Sequence, residues 1–150
     1  MDDIEQKQIR AEKVMDLSAS NPTLQAAARD LMEVYLQAAQ AYPDSTNSPL
    51  FLYKAAKLKA YPFKKYDETI SMLNELRQDY PEHPVAERAL FLIGYTYSEQ
   101  LADHDQAREV YQEFLDTYPQ SELSASVRFE LNNMGKPVSE LDFLKNGDKP

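Results

Sequence analysis

Apolar and small residues fall at Leu24, Ala28, Leu31, Tyr35, Ala38 and Tyr42, in steps of four, three, four, three and four. That spacing keeps one stripe on one face of an α-helix. It returns at Thr69, Leu73, Leu76 and Tyr80, and again at Ala107, Tyr111, Phe114 and Tyr118. Each run ends on the residue before a proline, and the three pairs Tyr42-Pro43, Tyr80-Pro81 and Tyr118-Pro119 stand 38 residues apart. A proline cannot continue a helix and pushes the residue before it out of the α region, so three helices stop in the same way. A fixed period of this length marks stacked repeats.

A second helical stretch precedes each of the last two stripes, at 50–60 ("LFLYKAAKLKA") and 86–100 ("AERALFLIGYTYSEQ"), so the repeating unit is a helix pair. Tyr61-Pro62 breaks the first of these helices and a new one begins near Tyr66; in the next unit Asp103 is placed to cap the helix that follows "LAD". Asn21 before Pro22 is a helix start of the same kind. Upstream, Ile4, Ala11, Val14 or Met15, and Leu17 predict a leading helix over 2–17. Downstream, Leu123, Val127, Leu131 and Met134 line one face of a capping helix over 121–134, with Ser124, Arg128, Glu130 and Asn132 off that face and Gly135 as the stop. Leu141 and Phe143 would dock one further short turn. The expectation is an all-α superhelix of about three helix pairs: one domain over 1–144, with units at 1–42, 43–80 and 81–118, a capping helix at 119–135 and a tail at 145–150. The stretch "ALFLIGYTY" is apolar nearly all round, which requires cover on both sides, and stacked pairs supply it.

Composition narrows the chemistry. With only 3 Gly and long runs rich in Ala, Leu, Glu, Gln and Lys, the chain favours helix over sheet. A net charge of −9 without a cluster of Lys and Arg argues against nucleic acid as a partner. The absence of Cys removes thiolate chemistry, disulfides and Cys-ligated zinc. No apolar run reaches the roughly 20 residues of a membrane-spanning helix, and "MDDIEQKQ" has the opposite charge character to a signal peptide.

The third unit reads Leu90, Ile93, Gly94, Tyr97, Ala107, Tyr111 and Pro119 in the order apolar, apolar, small, aromatic, small, aromatic and closing proline, and in this it resembles a tetratricopeptide repeat. The second unit is looser: Ala56 stands for the small Gly, Lys59 for the aromatic, Thr69 for the Ala and Leu73 for the second aromatic. The period exceeds the usual repeat of about 34 residues. In this the chain is similar to the longer repeats of the bacterial outer-membrane assembly lipoprotein and Tol-Pal coordinator families, which implies a cell-envelope protein, periplasmic or outer-membrane-associated, with the cytoplasm as the alternative. An export segment would then precede this chain.

What the resemblance implies about function is a non-catalytic scaffold whose concave face binds a peptide or protein partner. Aligned on the family, the groove positions are Tyr53, Lys57 and Tyr61 in the second unit and Arg88, Phe91 and Tyr95 in the third, an aromatic stripe with two cations suited to an apolar segment beside a carboxylate. Tyr53 and Phe91 also suit a core role. The family's carboxylate clamp of Lys, Asn and Arg is not reproduced. A second reading is a self-associating module, a homodimer through the N-terminal helices. A third is a hydrolase with a carboxylate site, but Glu68, Glu75, Glu109 and Glu113 fall on exposed faces and no pair stands in an apolar setting. His83 and His104 sit in turns 21 residues apart without metal-ligand spacing, where capping explains them. No cofactor or metal is implied. Gly94 is expected to lie under a neighbouring helix too close for a side chain.

Overall fold

Asn21 opens α1 (Pro22–Ala41) by accepting a hydrogen bond from the Thr23 N–H at 2.8 Å, with Pro22 at the first helical position where its missing donor costs nothing. The computed structural model describes residues 21–137. The predicted helix over 2–17, its proposed dimer contact, the turn around Leu141 and Phe143 and the tail lie outside them. After α1 come α2 (Ser48–Ala60), α3 (Tyr66–Asp79), α4 (Pro84–Tyr95) running into a π turn (Thr96–Gln100), α5 (His104–Thr117) and α6 (Ser124–Asn133). There is no strand among the described residues.

The 38-residue period recurs in the backbone of the seams. Tyr42, Tyr80 and Tyr118 close α1, α3 and α5 with nearly one backbone geometry, φ −132, −131 and −125 with ψ 61, 56 and 58. Each donates its N–H to the carbonyl four residues back, Ala38, Leu76 or Phe114. The carbonyl of each tyrosine then accepts from the residue three further on, Ser45, His83 or Ser121. Those three side chains in turn accept from the N–H two residues beyond, at Asn47 (3.3 Å), Val85 (3.0 Å) and Leu123 (3.0 Å). A serine and a histidine thus do one job, offering an acceptor to a helix start whose N–H groups have no partner within the helix. Ser48 and Ser124 hydroxyls also donate to the Tyr42 and Tyr118 carbonyls, a position that Ala86 leaves empty.

The turns inside the pairs share the period although their sequences do not. Lys64 and Ala102 both take positive φ, 55 and 50, and the residue after each donates to a carbonyl six back, Lys65 to Lys59 (3.0 Å) and Asp103 to Tyr97 (2.8 Å). Asp103 caps α5 as expected, accepting from Gln106 N–H at 3.1 Å.

The chain divides into two compact units, through Ala89 and from Leu90. In the first, α1 packs on α2 and α2 on α3. Its core holds Ala28, Leu31, Tyr35, Ala55 and Leu58, with Phe51 stacked on Tyr35 at 5.8 Å. The alanines leave room for the helices to approach, and the Tyr35 and Phe51 rings fill the space between. Thr69 is fully buried where the repeat usually carries Ala; its hydroxyl donates to the Lys65 carbonyl at 2.8 Å and lies 3.3 Å from that of Ala56, so the extra polar atom is satisfied. The first seam is tied to the second here: Tyr80 donates its hydroxyl to Pro43 O, and His83 Nε2 donates to Thr46 O, both at 3.0 Å.

In the second unit α5 packs on α6 and on the π turn. Leu90, Ala107, Tyr111, Phe114 and Val127 form its core. Gly94 lies against Tyr111 so closely that an added Cβ would stand 2.5 Å from the ring. Gly135 ends the capping helix region at φ 74, a left-handed conformation that suits glycine.

Five sequence expectations are corrected. Ala39, not Ala38, is the buried end of the α1 stripe, and Tyr42 is 69% exposed. Ser124 is buried because its hydroxyl reaches the Tyr118 carbonyl, and Glu130 is half-buried rather than free on the outer face. The stretch 86–100 is not one regular α-helix: it starts at Pro84 and ends in the π turn, where Leu101 N–H reaches back five residues to Thr96 O at 3.0 Å.

Candidate functional site

Three of the six sequence-predicted site residues come together in the first unit. Tyr53 and Lys57 lie one turn apart on α2, and the Lys57 ammonium stands 5.6 Å from the Tyr53 ring centroid, within cation–π range. Arg88, exposed on α4, is close enough to act electrostatically on the Tyr53 phenol. Burial pushes that phenol above its ordinary ionisation range and Arg88 pulls it back in part. Tyr53 is half-buried, with Lys57 over its ring and Arg88 acting on its phenol. Neither Lys57 nor Arg88 makes an ion pair with a carboxylate among the described residues, unlike Lys59 and Lys65, which both engage Glu68. These Lys59 and Lys65 charges, led by the Lys59 hydrogen bond, hold the Glu68 carboxyl below its usual range.

Tyr61 caps α2, its N–H donating to Lys57 O at 3.0 Å, and is 36% exposed. Phe91 and Tyr95 belong to the second unit. Phe91 packs on Tyr111 and Phe114 at 6.1 and 6.4 Å between centroids, so its ring serves the core, whereas Tyr95 is 39% exposed.

The histidines act as local structure. His83 Nδ1 accepts from Val85 N–H while Nε2 donates to Thr46 O, a combination that only the neutral Nε2–H tautomer satisfies. His104 is the first residue of α5. Glu68, Glu75, Glu109 and Glu113 are all exposed.

One pair of carboxylates escaped sequence reasoning. Glu99 on the π turn and Glu130 on α6 come together in the second unit, and Glu130 is raised above the usual carboxylate range, by burial first and by Glu99 second. Tyr111, fully buried, finds no hydrogen-bond partner for its hydroxyl; burial, then Glu130, Glu99 and Tyr95, push its ionisation upward. The residues are 31 positions apart on elements with different periodicity, and no spacing rule links them. The signal that existed was Tyr111 itself, a buried stripe position carrying a polar end.

Among the described residues no three His, Cys, Asp or Glu side chains are grouped to hold a metal ion, and no helix is long and apolar enough to cross a membrane. The family model for the tetratricopeptide repeat matches residues 51–83 and 88–121. No curated protein and no solved structure matches the chain. The first match covers α2, α3 and the seam that follows, the second α4, the π turn, α5 and the next seam, so each takes in one helix pair with its closing Tyr-Pro joint. Repeats of this class generally serve as protein-interaction surfaces. Residues 51–83 and 88–121 are two tetratricopeptide repeats, each built as a helix pair on the 38-residue period.

Proposed function

We propose that the chain is a non-catalytic adaptor that binds a protein segment at the Tyr53, Lys57 and Arg88 surface of the first unit. The observation that carries this reading is the pairing of a half-buried aromatic with two cations that have no carboxylate of their own among the described residues, in a chain of net charge −9. An unused cation beside a preformed aromatic platform favours a partner with an apolar side chain next to an acidic residue or a C-terminal carboxylate. A rigid surface lowers the ordering cost of such binding. Tyr61, one turn beyond Lys57, extends the surface, while Tyr95 offers an exposed aromatic in the second unit. The long period supports a bacterial cell-envelope setting for this adaptor.

Selection of displayed peptides on the full chain, with counter-selection on the Lys57→Glu, Arg88→Glu double variant, tests the reading. Enriched peptides should carry a carboxylate beside an apolar residue and lose about tenfold or more in affinity for the variant. Equal binding to a variant with an unchanged circular dichroism spectrum would refute it.

A further inference from the structure

Of the three seams, one carries an ionisable side chain where a helix start is held. Ser45 and Ser121 offer the N–H groups of Asn47 and Leu123 a hydroxyl, which carries no charge at any working pH. His83 offers Nδ1 to the Val85 N–H at 3.0 Å, and that atom is an acceptor only while the ring is neutral. Its other nitrogen donates to Thr46 O at 3.0 Å, so the same ring ties the start of α4 to the residue before Asn47, whose carbonyl opens α2 by accepting from the Phe51 N–H. Tyr53 is carried by α2 and Arg88 by α4. The imidazole is thus a strut between the two helices whose side chains interact at the adaptor surface.

We propose that His83 makes the α3–α4 joint a pH-sensitive latch on the adaptor surface: protonation of its imidazole releases the start of α4, draws Arg88 away from Tyr53 and weakens binding in acid. An imidazolium keeps the N–H that reaches Thr46 O, but its Nδ1 becomes a donor and confronts the Val85 N–H, so two donors face each other with no acceptor between them. The new positive charge also stands at the N-terminal end of α4, where the helix dipole opposes it. Arg88 lies four residues after Pro84, so its place in the helix depends on that first turn. The ring is half-buried, and protons reach it without unfolding of the unit. The charged groups on the elements that meet it are Asp44 in the turn that carries Thr46, Asp79 and Glu82 on either side of the Tyr80 joint, and Glu87 in the first turn of α4; the Tyr80 phenol is committed to Pro43 O. No ion pair joins any of them to His83 among the described residues, and a carboxylate drawn to the imidazolium would not restore the acceptor that the Val85 N–H loses. Acid therefore acts on one joint of the three. The effect on binding rests on the adaptor surface proposed above; the latch itself does not.

The test is an amide-exchange and chemical-shift titration of the full chain between about pH 7.5 and about pH 5.5, a window that spans the ordinary histidine range and stays above that of carboxylates. As pH falls, exchange at Val85 should rise about fivefold relative to its counterparts Asn47 and Leu123, the fold-change for loss of one helix-start acceptor, and the Arg88 side-chain resonances should shift with the midpoint of the His83 imidazole. In His83→Ser, which supplies the acceptor used by the other two seams, the Val85 ratio and the Arg88 resonances should stay constant across the window; His104 is present in both proteins, so its own response cancels in the comparison. N-acetyl-phenylalanyl-aspartate, an apolar side chain beside carboxylates that stay ionised in this window, should bind the parent at least about threefold more weakly at the acid end and bind His83→Ser equally at both. Simple attraction to an added positive charge would strengthen that binding instead, so tighter binding in acid overturns the coupling to the adaptor surface. A constant Val85 ratio in the parent, or a Val85 response that persists in His83→Ser, overturns the latch whatever the probe does. A probe that binds at neither pH counts against the adaptor surface alone, and the Val85 and Arg88 responses still decide the latch.

Discussion

Gly94→Ala places a methyl group 2.5 Å from Tyr111 Cε1, 2.7 Å from Cδ1 and 3.1 Å from Cζ, where ordinary contact begins at 3.4 Å. Tyr111 would have to retreat by about 1 Å, and it is fully buried with Phe91 against its ring and Phe114 and Val127 in the same cluster. Two effects compete. Alanine is the better helix former by about 1 kcal/mol, while overpacking of a closed core costs about 1–3 kcal/mol. With a contact nearly an ångström too short against an immobile ring, the upper end of that range applies, and the net loss is about 2 kcal/mol. For a urea dependence of about 1–3 kcal/mol per molar, the unfolding midpoint followed by far-UV circular dichroism should fall by about 1 M. Gly94→Leu should prevent native packing altogether. The penalty of Gly94→Ala should shrink in a Tyr111→Leu background, because the shorter side chain removes the atoms that the methyl meets. A Gly94→Ala protein as stable as the parent, or more so, would show only the propensity gain and would refute the close approach.

His83→Ala should cost about 1 kcal/mol by removing a helix-start acceptor, whereas His83→Ser, which copies Ser45 and Ser121, should cost measurably less; thermal melting of the two variants decides. Tyr111→Phe deletes a buried hydroxyl that has no protein partner and should raise stability by about 1 kcal/mol in urea titration, a loss being the contrary result. Ala102→Gly relieves a left-handed residue and should stabilise by about 0.5–1 kcal/mol, read as a higher midpoint. Glu130 is raised in the folded state, so the native protein holds its proton more tightly than the unfolded chain does. Stability from this group is present below the unfolded carboxylate range and is lost as pH rises through the folded one; melting temperature measured on either side should show this slope in the parent and lose it in Glu130→Gln.

The stripes, the seams, the caps at Asn21 and Asp103 and the tight glycine at Gly94 were legible because each rests on local chemistry: helical period, proline's steric demand, a side-chain acceptor at a helix start. Lys64 and Ala102 were not, since neither residue type advertises positive φ; the turn around it imposes the conformation. The π turn is one extra residue in a helix without a composition mark. Among the groove positions taken from the family alignment, the core role that the sequence allowed Phe91 is the one its packing on Tyr111 and Phe114 shows, while Tyr95 is exposed. Glu99 and Glu130 were invisible for a different reason. Their shared environment is made by the packing of α5 against both α6 and the π turn, and two glutamates 31 residues apart look like any other solvated pair until that packing exists.

The three Tyr-Pro joints carry a further consequence for how such a chain changes length. Each joint is completed by atoms within seven residues of its tyrosine: the helix-closing bond, the serine or histidine acceptor and the new helix start. A segment cut at one joint and resealed at the next is therefore a 38-residue cassette with matching ends. Duplication or excision of one cassette would regenerate the same joint, so unequal recombination between the Tyr-Pro codons could lengthen or shorten the array without passing through a broken turn.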